Sequence, residues 1–221
     1  MSSPLKPGMR VIDLTHTIAP GMPFYPGTEP PAFSRPCTLE THGFVEQKIT
    51  LYSHTGTHMD APAHILAGAP LLDRMDVGSF VGSAAVLDLR GLNKAIIGLE
   101  DVKAHEDAVR GRDFVILFTG WGSRWGTDAY YAGYPSLGPE AAAWLAGFNL
   151  KGVGLDTISI DPPEATDFPV HRIFLEKGAV IIENLANLEE APREAFLFCC
   201  LPLKLGEADG APVRAVALAG S

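Results

Sequence analysis

The sequence predicts a mixed α/β fold in one domain spanning residues 1–221. Short apolar runs rich in β-branched residues recur along the chain, each bounded by glycine or charge, and stretches with helical spacing lie between them. The length suits one large core, and no linker separates two independent ones. With 23 glycines and 18 prolines, many turns and shaped loops must join short elements.

Val11 to Leu14 reads as a first strand. From Pro20 to Pro36 the prolines remove backbone donors and fix φ, so neither a helix nor a central strand can form there. A long ordered loop or a lid is left. In Lys48 to Tyr52, Ile49 and Leu51 alternate with Lys48, Thr50 and Tyr52, which predicts a strand with one buried face running directly into His54. Ala84 to Leu89, Phe114 to Phe118, Gly152 to Asp156, Ala179 to Glu183 and Phe196 to Leu201 predict buried strands. Leu99 to Val109 and Gly138 to Phe148 predict helices, the second with Pro139 at its first position and Gly147 near its end. Met1 to Gly8 reads as a loose arm.

A net charge of −9 without a lysine or arginine cluster opposes binding to nucleic acid or an anionic membrane, and points to a small-molecule substrate. No apolar window approaches the roughly eighteen residues of a membrane-spanning helix, and the N-terminus lacks the apolar stretch of a signal peptide. Cys37 stands alone, while Cys199 and Cys200 fall in an apolar run. Free buried thiols suit a reducing compartment, so a cytoplasmic protein is expected.

Chemistry concentrates between His54 and His64, where three of the seven histidines fall within eleven residues. Neutral imidazole and carboxylate together suit a divalent transition ion such as zinc or manganese, and the absence of nearby cysteine favours an open, reactive site over a closed structural one. Gly56 lets the chain turn between His54 and His58, and Asp60 would face the same way as His58 in an extended backbone. A histidine pair four apart also fits one helix face, but Gly56 and Pro62 weaken that version. The candidate ligands are therefore His54, His58 and Asp60. His64, whose side chain titrates near neutrality, is the candidate general base and acid.

The run from His54 to His64 fills H-x-G-T-H-x-D-x-P-x-H at every fixed position. This resembles the signature of the metal-dependent cyclase family, which includes bacterial kynurenine formamidases and isatin hydrolases. Asp13 to His16, Gly21 to Gly27, Thr119 to Trp121, Gly154 to Asp161, Leu201 to Leu205 and Asp209 to Ala217 are similar to other parts of that family. The resemblance implies an α/β fold of the swivelling β/β/α type, with a central mixed sheet or barrel flanked by helices. It also implies assembly as a homodimer or higher homo-oligomer. His171 and Glu183, twelve residues apart, would complete the ligand set, with Asp60 bridging two ions. Two zinc ions per subunit are implied, with manganese as the alternative, and His64 falls at the family's proton-shuttling position.

The activity implied is hydrolysis of a small amide, as N-formylkynurenine to kynurenine plus formate. Tyr25 and Thr28 stand where typical kynurenine formamidases carry tryptophan and aspartate, so a lactam or lactone hydrolase like isatin hydrolase, or a cyclase/dehydratase, is the alternative. A catalytically silent metal-binding protein is a third reading, which the presence of His64 disfavours. Tyr25 is the candidate substrate-binding residue, on a loop whose aromatics either cover the substrate or pack on the exterior. Trp121, Trp125, Tyr130 and Tyr131 suit a pocket, an interface or core packing equally. His16, His42 and His105 are assigned no catalytic role.

Overall fold

A computed structural model describes residues 8–92 and 94–220; the expected arm, apart from Gly8, lies outside the described residues. In chain order the strands are β1 (Arg10–Asp13), β2 (Ala32–Cys37), β3 (Glu46–Thr50), β4 (His58–Asp60), β5 (Val81–Asp88), β6 (Ile96–Ile97), β7 (Phe114–Phe118), β8 (Ser136–Leu137), β9 (Gly152–Leu155), β10 (Val180–Glu183), β11 (Phe196–Pro202) and β12 (Gly210–Ala219). The helices are α1 (Leu39–His42), α2 (Leu99–Lys103), α3 (Glu106–Val109), α4 (Pro139–Ala146) and α5 (Pro169–Leu175).

Seven strands close on themselves in the order β12-β11-β5-β7-β9-β10-β4, because β4 pairs with both β10 and β12. β5, β7, β9 and β10 run parallel, and the barrel's remaining pairings are antiparallel. Strand β12 is long enough to serve two neighbours along one edge. Gly210 to Pro212 meet β4, and Val216 to Ala219 meet β1. Closure removes sheet edges that would otherwise be open to aggregation.

Alternation along each strand sends side chains into two cores. Inside the barrel lie Met59, Phe114, Ile116, Val180, Ile182 and Phe198, with the small Ala215 and Ala217 of β12. Strand β9 contributes only glycine to this side. A Cβ on Gly152 would stand 2.8 Å from Val180 Cγ2 and 3.0 Å from Phe114 Cε1, and one on Gly154 would stand 2.7 Å from Leu185 Cδ1. The barrel is narrow enough that its large residues occupy the space a side chain would need. Outward-facing Val115, Leu117, Val153, Leu155 and Ile181 form the second core with the buried faces of α2, α3, α4 and α5.

Helices therefore cover only part of the wall. The outward face of β1 and β11 leaves Val11, Leu197 and Leu201 about half exposed. None of the described helices is long and apolar enough to cross a membrane.

Most expected strands form within a residue or two of their predicted bounds, and several expectations are corrected. Leu99 to Val109 is not one helix: α2 and α3 are separated at His105, whose φ of −112° and ψ of 19° are not helical. The expected loop from Pro20 to Pro36 ends as strand β2, which pairs with β3 in a separate two-stranded ribbon. Pro36 lies where the register shifts between Ser34 and Cys37, a place where a missing donor is tolerated. The buried face expected for Lys48 to Tyr52 is not found. All five residues of β3 are exposed because the ribbon pairs apart from the barrel sheet.

Placing a methyl group on the inner side of β9 should overpack the barrel. Gly152→Ala is expected to cost about 1–3 kcal/mol in denaturant unfolding, whereas Gly206→Ala, with open space around its Cα, should stay within about 0.5 kcal/mol of the parent. Equal stabilities for the two variants would show that the interior can yield.

Candidate metal centre

The three residues of β4 divide between the two sides of the wall. Met59 points into the barrel, while His58 and Asp60 point outward, opposite Glu183 and Ile181 of β10. Register thus places an imidazole and two carboxylates side by side on the outer face. Helix α5 packs over this face and brings His171, which sits in its first turn. Gly56 lets the chain enter β4: its φ is +67°, and a Cβ there would press on Met22 at 3.1 Å and Ile18 at 3.3 Å.

The cluster is tight and largely buried. His54 Nδ1 lies 2.7 Å from Asp60 Oδ1, and His58 Nε2 lies 3.3 Å from the same oxygen. His171 Nε2 is 3.5 Å from Asp60 Oδ2 and 3.5 Å from Glu183 Oε1, while His58 Nε2 is 3.5 Å from Glu183 Oε2. Among the described residues three groups of three candidate ligands result, His54–His58–Asp60, Asp60–His171–Glu183 and the less buried His54–His64–Asp209, with Asp60 common to the first two. Asp60 Oδ2 is fully buried and has no hydrogen-bond partner. A buried carboxylate oxygen left this way is costly unless a cation meets it, so the residues present fit a divalent ion.

Each imidazole is oriented from behind. His58 Nδ1–H donates to the Gly56 carbonyl at 2.8 Å, and His171 Nδ1–H donates to Asp161 Oδ2 at 2.6 Å, leaving both Nε2 atoms facing the carboxylates. Asp161 also accepts from the backbone amides of Val170 and His171, fixing the first turn of α5. On the other flank, His54 Nε2–H donates to Asp209 Oδ2 at 3.0 Å, and His64 Nδ1 lies 3.3 Å from that oxygen. Asp161 and Asp209 lie in runs of sequence that resemble parts of the family, yet only their hydrogen bonds assign them a task.

Crowded carboxylates govern the electrostatics. Burial opposes charge on His54, but the Asp60 charge and hydrogen bonds donated to Asp60 and Asp209 prevail and raise its pKa to about 9. Burial is likewise overcome at His171, where Asp161 and Asp60 raise the pKa to about 10. Burial and the neighbouring Asp60 charge push Glu183 up to about 7. His64 moves the other way, held below its ordinary value chiefly by burial. It is thus neutral at pH 7 and able to accept a proton.

Beside the cluster opens a cavity of about 340 Å³, lined in part by Tyr25, Thr28, Tyr52, Trp125 and Phe168. All six expected site residues, His54, His58, Asp60, His64, His171 and Glu183, reach it, and Tyr25 is at its wall. Trp125 serves cavity and core together, packing edge-on against Tyr130 at 5.1 Å and stacking on His16 at 3.8 Å. His16 stays outside the cluster.

An α/β barrel that gathers three imidazoles and two carboxylates beside a small apolar cavity has the donors of a metal-dependent class of protein. The Cyclase family model matches residues 12–162, and the chain belongs to that family. It is 30% identical to a kynurenine formamidase from Erythrobacter litoralis, covering 94% of this chain and 93% of that protein. Isatin hydrolase A from Ralstonia solanacearum superposes with a TM-score of 0.84 at 27% identity, over 95% of this chain and 92% of that one. A structure described as a predicted metal-dependent hydrolase from Bacillus stearothermophilus does so with a TM-score of 0.80 at 31% identity, over 95% and 98%. The swivelling-type α/β architecture implied by the sequence resemblance is the one these neighbours share.

Without added metal, His54 and His171 carry protons above their ordinary pKa of 6.5. The stability they contribute is complete below pH 6.5 and is lost as pH rises through 9 to 10, and Glu183, raised to about 7, acts in the same direction below that window. Thermal midpoints of chelator-treated protein should therefore fall between pH 6.5 and 10, and fall less steeply in His171→Gln. A profile equally steep in parent and variant would remove His171 from the account.

Proposed function

We propose that this chain is a metal-dependent hydrolase of a small amide, acting on a C–N bond outside peptides. The observation that carries this reading is the unpartnered Asp60 Oδ2, buried between two groups of ligands that open on one cavity. His54, His58 and Asp60 would hold one ion, and Asp60, His171 and Glu183 a second. Zinc and manganese both suit these donors, with two zinc ions per subunit as the preferred occupancy. A divalent ion there would polarise a carbonyl oxygen and bring the pKa of water toward about 7.

The chain's own groups supply the rest. The aromatic cavity wall excludes bulk water from one side of the substrate, and Tyr25 stands where it can cover a planar group. As water adds to the carbonyl carbon, neutral His64 takes its proton and returns it to the leaving nitrogen when the C–N bond breaks. The products are a carboxylic acid and an amine. Proton transfer by a positioned histidine of this kind is worth about 10²–10⁴ in rate.

N-formylkynurenine is the first substrate to consider, given 30% identity to a kynurenine formamidase over nearly the whole chain. A lactam or lactone ring is the second reading, favoured by Tyr25 and Thr28 on the cavity wall and by the likeness to isatin hydrolase A. Assembly as a homodimer or higher oligomer fits the uncovered wall at Val11, Leu197 and Leu201, together with the exposed ribbon carrying Phe44, Val45 and Ile49. A cytoplasmic setting fits the three free cysteines.

Metal-stripped protein reconstituted separately with zinc and with manganese should hydrolyse N-formyl-L-kynurenine only when loaded. His64→Ala should lower kcat by about 10²–10⁴ while metal content stays that of the parent. Stoichiometric metal with no turnover on this compound would reject the substrate and redirect the assay to isatin and lactones.

A further inference from the structure

Asp209 precedes β12 and meets two imidazoles through one oxygen. His54 Nε2 is 3.0 Å from Asp209 Oδ2, and His64 Nδ1 is 3.3 Å from the same atom, with the two rings 4.0 Å apart between centroids. The Asp209 side chain is partly exposed, but its backbone is tied into the sheet. Gly210 is paired in register with Asp60, and the Ala61 amide donates to the Asp209 carbonyl at 2.9 Å. The backbone at this point lies against the His54 ring: a Cβ on Gly210 would fall 2.5 Å from His54 Cε1 and 2.7 Å from Nε2. A side chain at Gly210 would collide with the His54 ring, so glycine here keeps the Asp209 backbone close to that ring.

A carboxylate accepts hydrogen bonds and donates none, so a shared oxygen requires a hydrogen on each facing nitrogen. In the neutral His64 ring the hydrogen then sits on Nδ1, and the lone pair is left on Nε2. His54 meets a carboxylate at each nitrogen, Asp60 at 2.7 Å and Asp209 at 3.0 Å, so no single tautomer is set there. We propose that Asp209 is a positioning residue that fixes the tautomer of His64, presenting its Nε2 to the substrate water. This rests on the reading of His64 as the proton-transfer group, and it adds a task for a residue that sequence alone leaves without one.

The test uses zinc-loaded protein labelled with ¹⁵N-histidine, comparing the parent with Asp209→Ala, Asp209→Glu and His64→Ala. Long-range ¹H–¹⁵N correlation should show the parent His64 as the Nδ1–H tautomer, and this signature should be lost in Asp209→Ala. With N-formyl-L-kynurenine, Asp209→Ala should lower kcat about 10- to 100-fold, leave KM within about twofold, and retain the parent's zinc content. Asp209→Glu should recover part of both the tautomer signature and kcat. An Nε2–H tautomer in the parent, or an unchanged His64 spectrum in Asp209→Ala, overturns the proposal. Zinc lost from Asp209→Ala also overturns it, by making Asp209 part of the ion's own binding set. If the tautomer responds to Asp209 while His64→Ala keeps full activity, positioning stands and the proton-transfer reading of His64 fails.

Discussion

The buried charge of Asp60 is the constraint on which the rest depends. Its strand is the three-residue seam that closes the barrel, since β4 is hydrogen-bonded to β10 on one edge and β12 on the other. Both carboxylate oxygens are out of water there, one shared between His54 and His58 and the other without a partner. An ionised carboxylate in such a place costs several kcal/mol unless positive charge surrounds it. The neighbouring elements supply that charge: the segment before Gly56 presents His54, and α5 presents His171. Closing the barrel and assembling the site are one event, because the same backbone hydrogen bonds set both.

The division of labour across the wall follows from this. Inside, glycines on β9 and alanines on β12 leave room for Phe114, Phe198 and Met59, so the barrel is filled rather than hollow and cannot itself admit a substrate. Chemistry must therefore lie on the outer face, where α5 and the loops before β4 roof over the ends of β4 and β10. Asp161 and Asp209 stand behind the histidines from opposite sides, each tying a ring to a different element. The rings are thus oriented by hydrogen bonds made within the protein itself.

Expectations from pattern failed where pattern is ambiguous about partners. The alternation of Ile49 and Leu51 is a true strand signal, but it does not say what lies against the apolar side. In the monomer that side faces solvent. Leu99 to Val109 has helical spacing throughout, yet its backbone leaves the helical region at His105, and apolar spacing carries no signal for such a break. Strand β12 went unread because Ala211, Ala215, Ala217 and Ala219 are poor strand formers by propensity, and only pairing with β1, β4 and β11 holds them extended.

By itself the sequence determined the α/β class, the main strands of the barrel, and the dense group at His54, His58, Asp60 and His64. These are local facts: residue type, period and spacing within a few positions are enough to state them. His171 and Glu183 entered only through resemblance, and Asp161 and Asp209 had no assigned task. Tertiary structure alone decided that His54 and Asp209, 155 residues apart, share a hydrogen bond, and that Glu183 lies opposite His58. The physical reason is that a site's electrostatics depend on distances of a few ångströms between residues far apart in the chain. Those distances are set by strand register and by the packing of α5 on the wall.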